Sequence, residues 1–227
     1  MSGFVLKLIA MITMLIDHTG AILFEGSPYY IYFRMIGRLA FPIYCFLLVE
    51  GFYHTSNVKS YLKRLGIFAL ISEIPFDLAF SKRETSINFF ESQNVFFTLY
   101  IGLLVIYFMS LVKKKYMNDS MKQNLINIGI VIVGCFAAIF LATDYSFLGV
   151  LLIVCFYLFR TNKLLLSIAI LLLNYELAGT LQAIAAVSMI FIWFYNGKKG
   201  PKLNKYFFYA FYPAHILLLV LISKIIY

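Results

Sequence analysis

The chain has 227 residues, 63% of them of the types AVILMFWYC and only 13% charged, with a mean hydropathy of +0.89. Soluble domains hold roughly half apolar residues, so this composition excludes one; at about 20 residues per membrane helix the chain has room for roughly nine crossings and short loops. The net charge of +9 does not mark a nucleic-acid binder, because the Lys and Arg residues sit in short loops between apolar runs rather than along a phosphate-tracking groove.

The first run, residues 4–24, opens like a secretory leader, but Asp17 and His18 interrupt it and no small-residue cleavage pattern follows, so it reads as a membrane helix. The second, 29–53, holds Arg34 and Arg38 inside it and closes on Glu50 and Gly51, with Glu50 in reach of the loop cations Lys59, Lys63 and Arg64 and His54 as ordinary surface. The third, 61–80, contains Glu73 and Asp77 on either side of Pro75, which is expected to kink it. Further runs span 95–112, 123–142, 145–160, 163–178 and 181–195. The last, 206–226, includes Tyr212, Pro213 and His215. Runs five to eight are short and tightly joined, which leaves eight or ten helices open. The fold class is all-α: a polytopic bundle of about nine membrane helices forming one domain over 1–227. Cys45, Cys135 and Cys155 fall in these runs without metal-ligand spacing, so neither a disulfide nor a metal site is expected.

Positive charge alternates along the chain. Lys7, Lys59, Lys63, Arg64, Lys113, Lys114, Lys115, Lys122, Arg160, Lys163, Lys198, Lys199, Lys202 and Lys205 all fall on one side, while Lys82, Arg83 and Lys224 fall on the other. The positive-inside rule then puts the N-terminus in the cytoplasm and the C-terminus outside, in the inner membrane of the cell.

Helical rise converts position to depth. His18 lies about 9 Å below the outer boundary, Arg34 and Arg38 about 7 and 13 Å, and Glu73 and Asp77 in the outer half as well. A charge at the bilayer centre costs about 2.5–3.5 kcal/mol, so Asp17, His18, Arg34, Arg38, Glu73 and Asp77 are expected to face one another or a wet cavity. Tyr212 and His215 are placed in the inner half by the same count. Lys7 and His18 are eleven residues apart and so lie within about 20° of one helix face, with Met11 and Met14 between them. That face reads as a passage with a cation at its inner end and an imidazole about 16 Å further out. Such buried ion pairs also serve simply to pin helices together; His18 differs, because its unperturbed pKa near 6.5 suits proton exchange near neutrality.

Six segments together resemble the TraX family of conjugal-transfer membrane proteins: Lys7 and Asp17-His18, Arg34-Met-Ile-Gly-Arg-Leu-Ala-Phe-Pro42, Glu50-Gly-Phe52 with Thr55, Ile71-Ser-Glu-Ile-Pro-Phe-Asp77, Gln93-Asn-Val-Phe-Phe-Thr98 and Phe211-Tyr-Pro-Ala-His215. The resemblance runs the length of the chain. It implies N-acetylation of a pilin amino terminus and a place among transmembrane acyltransferases, which draw on cytoplasmic acyl-CoA and serve acceptors across the membrane. Their Arg or Lys, ten residues, then His pattern falls here on Lys7 and His18, although that wider group has ten or more spans. The expected co-substrate is acetyl-CoA, without a metal, held by Lys7 with Met11, Met14, Tyr212 and His215 along its path. The expected partners are membrane lipids and an acceptor left open between a pilin-like peptide and an envelope glycan. His18 is expected as general base, with Asp17, Glu73 or an arginine setting its tautomer, and Arg38 as oxyanion stabiliser beside Arg34 and Asp77. Two rivals stay open: a proton-coupled transporter or flippase, against which the lack of an inverted repeat counts, and a non-catalytic assembly factor of a conjugation or secretion system.

Overall fold

The structure is a computed structural model that describes residues 1–80, 92–176 and 180–226. Among these residues it is all-α. Eleven helices follow in order: α1 (Gly3–Leu23), α2 (Tyr30–Gly37), α3 (Ala40–His54), α4 (Val58–Phe80), α5 (Val95–Lys115), α6 (Ser120–Phe140), α7 (Ser146–Leu158), α8 (Lys163–Glu176), α9 (Thr180–Ala183), α10 (Ser188–Trp193) and α11 (Lys205–Ile226). Among the described residues, five stretches are long and apolar enough to cross a membrane: 3–23, 30–54 with α2 and α3 taken together, 95–115, 120–140 and 205–226. Lys82 and Arg83 lie outside the described residues.

The second expected helix is broken at Arg38 and Leu39. Pro42 has no N–H to give the carbonyl of residue 38, and its ring crowds that carbonyl, so the chain turns there before α3 begins. The eighth expected helix, 181–195, is likewise discontinuous: α9, a 3-10 turn at Ile184–Val187 and α10 replace it. Pro75 and Pro213 stand within α4 and α11, which run through them.

The core gathers one face from several helices: Leu6, Ala10 and Met14 of α1, Ile43, Cys45 and Val49 of α3, Leu103 and Ile106 of α5, Ile153 and Phe156 of α7, and Ile216 of α11. α1 packs against α2, α3 and α11; α4 packs against α5 and α11; α5 also supports α6 and α7. α6 sits at the rim. It buries only Gly134 and Ala138, while Leu125, Val133, Phe136 and Phe140 are 62%, 69%, 68% and 89% exposed. Contiguous apolar exposure on that scale is unlike the surface of a soluble monomer and matches a face covered by hydrocarbon.

Candidate active site

Successive helical residues diverge by 100°, so Asp17 and His18 face different neighbours. Asp17 turns to α2, where its Oδ2 accepts a hydrogen bond from Arg34 Nη1 at 2.9 Å. The two helices meet at glycines that leave room for a side chain of the facing helix: a Cβ on Gly37 would lie 2.0 Å from Asp17 Oδ1, and one on Gly20 would lie 2.2 Å from Phe33 Cβ. Glycine at 37 is thus what lets the carboxylate sit against the α2 backbone.

His18 turns to α11. Its Nδ1 lies 2.6 Å from Nε2 of His215, the two rings near parallel with centroids 4.9 Å apart. His215 Nδ1 in turn lies 2.7 Å from the Phe211 carbonyl oxygen. A carbonyl only accepts, so His215 donates from Nδ1; in its neutral form Nε2 is then the acceptor, and His18 donates to it from its own Nδ1. His18 Nε2 is left with its lone pair. Aromatic rings crowd the pair: Phe80 at 5.7 Å and Tyr212 at 5.8 Å from His18, and Phe211 stacked at 4.7 Å on His215.

This corrects two expectations. His215 was assigned to the inner half and the acyl-CoA path, but it stands at the level of His18, because tilt and offset between packed helices shift depths counted along the chain. The group that orients His18 is therefore His215 and not a carboxylate, since Asp17 is occupied by Arg34. Glu73 is also elsewhere engaged. Its Oε2 accepts hydrogen bonds from the backbone N–H and side-chain amide of Asn94, the former at 3.3 Å, while Asn94 caps α5 by accepting from Phe96 N–H at 3.0 Å. Glu73 thus holds the joint between α4 and α5. Asp77 is buried one turn further along α4.

A cavity of about 350 Å³ opens between α1, α3, α4, α5 and α11. At one end are Asp17, His18, Gly37, Asp144 and Tyr145; at the other are Lys7, Arg64 and Lys205, with Met14, Phe96 and Tyr212 among the residues between. Lys7 and His18 share it, as the helix-phase argument requires, and so does Met14. Met11 is buried but does not line it, and neither do Glu73, Asp77 or His215. Arg38 stands behind the wall: Nη1 donates to Gln182 Oε1 at 3.2 Å, and Gln182 donates to Asn174 Oδ1 at 3.2 Å. Among the described residues its buried Nε has no hydrogen-bond partner, nor has Asp17 Oδ1. Unmet buried donors and acceptors are unusual enough to require an occupant or a function.

Three charged lining residues were not singled out by the sequence. Asp144 comes from the tight α6–α7 turn, where its N–H donates to the Gln93 carbonyl at 2.8 Å, and it feels the charges of Arg38, Asp17 and Arg34. A lone acid in a short turn between two apolar runs was the available signal. Arg64 and Lys205 look like ordinary loop cations in the sequence, yet the chain folds them around one opening. Glu50, expected near Lys59, Lys63 and Arg64, instead accepts from Arg160 Nε at 2.6 Å across the α3–α7 contact.

A family model described as TraX protein matches residues 2–223. The chain is 34% identical over 240 aligned positions to the probable fimbrial assembly protein FimC, serogroup H1, of Dichelobacter nodosus, covering 96% of this chain and 94% of that one. It is 31% identical over 103 positions to an uncharacterized protein of Rickettsia prowazekii (strain Madrid E), covering 45% of this chain and 36% of that one. No solved structure matches.

Proposed function

The chain belongs to the TraX family, and from that premise we propose that it is an inner-membrane acyltransferase moving an acetyl group from cytoplasmic acetyl-CoA to an acceptor amine or hydroxyl at the outer side. The N-terminus lies in the cytoplasm, as the distribution of basic residues favours. The observation that supports this reading most is the cavity with a tricationic opening at Lys7, Arg64 and Lys205 and an oriented imidazole at its other end.

The chemistry follows from the tautomers. Phosphates of acetyl-CoA pair with the three cations, and the acyl end extends past Met14 toward His18. The neutral acceptor attacks the thioester carbonyl while His18 Nε2 takes its proton. The C–N or C–O bond forms, the tetrahedral oxyanion collapses with cleavage of the C–S bond, and the proton passes from His18 to the departing thiolate. His215 accepts from Nδ1–H throughout, which keeps the ring in register and stabilises the transient imidazolium. The unpartnered Arg38 Nε supplies positive field toward the oxyanion from behind the wall rather than as a lining group.

Release of free CoA thiol from acetyl-CoA on adding a peptide amine or amino sugar to the reconstituted protein tests the proposal. Acceptor-independent or absent release would sink it. His215→Leu is expected to lower kcat about 10²-fold, and His215→Gln to recover part of the loss, because a carboxamide oxygen accepts from His18 Nδ1–H. Equal losses in both variants would reduce His215 to a packing role. Arg64→Ala combined with Lys205→Ala is expected to raise KM for acetyl-CoA about tenfold with little change in kcat, which steady-state kinetics reads directly.

The relative from Dichelobacter nodosus is named for fimbrial assembly, and this favours a second reading in which the chain serves pilus assembly without catalysis. In that case a His18→Ala gene restores piliation fully while acetyl-CoA is never consumed.

A further inference from the structure

A second cavity, also of about 350 Å³, shares no lining residue with the first. It lies where the end of α5, the start of α6 and the turn after α7 meet the last turns of α3, and it is lined by Tyr53, Lys113, Gln123, Asn127, Arg160 and Thr161, among others. Its guanidinium is already held in place. Arg160 gives Nε to Glu50 Oε1 at 2.6 Å and rests its guanidinium 4.5 Å from the centroid of the Tyr53 ring. Among the described residues its two Nη groups have no acceptor. Gln123 and Asn127 stand one turn apart on α6, so both carboxamides reach the same space. Thr161 adds a hydroxyl and Lys113 an ammonium.

The forked guanidinium, the ammonium, the hydroxyl and the amide N–H groups converge on one volume. Glu50, the carboxylate beside Arg160, is already engaged by it. That donor set fits a tetrahedral oxyanion, for which Arg offers bidentate geometry and Lys a point charge. Lys114, Lys115 and Lys122 belong to the same junction and extend its positive charge. Beyond the cavity α6 continues as an apolar rod, with Leu125 62%, Ile128 57% and Ile132 49% exposed. A basic pocket between helices beside such a rod is built for a group that joins a phosphate to an acyl chain.

We propose that this cavity binds a phosphate group, carried by a phospholipid headgroup or by a soluble phosphate compound. The site is independent of acyl transfer at His18. The test uses the full chain in nanodiscs of digalactosyl diacylglycerol containing a small fraction of phosphatidylglycerol, followed by native mass spectrometry. Wild type is expected to retain phosphatidylglycerol, and Lys113→Ala to retain about fivefold less, while Lys224→Ala, which removes an exposed cation near the other terminus, retains as much as wild type. In a parallel arm without lipid, thermal stabilisation by millimolar inorganic phosphate that is lost in Lys113→Ala assigns the site to a soluble ligand. If neither arm distinguishes Lys113→Ala from Lys224→Ala, the proposal is overturned.

Discussion

His18→Ala is expected to reduce acetyl transfer by about 10²–10⁴-fold while the protein still inserts and unfolds at a temperature close to wild type. The magnitude comes from the base. An acceptor nitrogen or oxygen that attacks a thioester must shed a proton, and His18 Nε2 is the cavity-lining lone pair that the hydrogen-bond chain from Phe211 through His215 leaves open. Little stability is at stake, because alanine keeps the helix and His215 retains its bond to the Phe211 carbonyl. Thiol release gives the rate, and a fluorescence melt in detergent gives the fold. A variant that turns over at the wild-type rate removes His18 from the mechanism, and with it the acyl-transfer reading of this cavity.

Gly37→Ala is expected to destabilise the fold by about 3 kcal/mol and to abolish activity with it. A Cβ there would meet Asp17 Oδ1 at 2.0 Å and its Cβ and Cγ at 2.2 Å. Those are not the ends of a flexible chain. Either α1 and α2 separate or Asp17 leaves Arg34, and the second route strands a partly buried carboxylate next to an unpaired guanidinium. The thermal midpoint should fall by about 5–10 °C. Gly129→Ala on α6, where nothing lies within 4 Å of the added Cβ, is the matched control and should be neutral or slightly stabilising. Equal behaviour of the two variants would show that α1 and α2 do not approach as closely as described.

The long elements were legible because apolar run length and loop chemistry are local properties. Seven of the nine expected stretches, the first and last among them, appear as single helices with ends displaced by three residues or fewer. The broken second stretch had its signal in Pro42, whose consequence falls four residues upstream. The eighth was harder: residues 181–195 are apolar apart from Gln182 and Ser188, and Gln182 is drawn toward Arg38 and Asn174, a tertiary demand no periodicity reveals. At the site, helix phase brought Lys7, Met14 and His18 to one cavity, since residues on one face of one helix need no knowledge of the fold, but Met11, counted on the same face, is buried outside its lining. Relations between helices fared less well. Counting depth from the ends of each run assumes parallel, level helices, and this separated His18 from its actual partner on α11. On α4, Glu73 meets Asn94 rather than an arginine.

The ring of Tyr212, which stands 5.8 Å from that of His18 and lines the same cavity, has a consequence for donor choice on the acyl-transfer reading. A two-carbon group fits at a reaction centre walled this closely, whereas a longer chain must push a rigid aromatic out of its rotamer, at about 1–3 kcal/mol for an overpacked site. Chain-length discrimination then resides in the walls around the base and not in the grip on the nucleotide, so the same basic opening admits every thioester of coenzyme A and only the smallest reach the end.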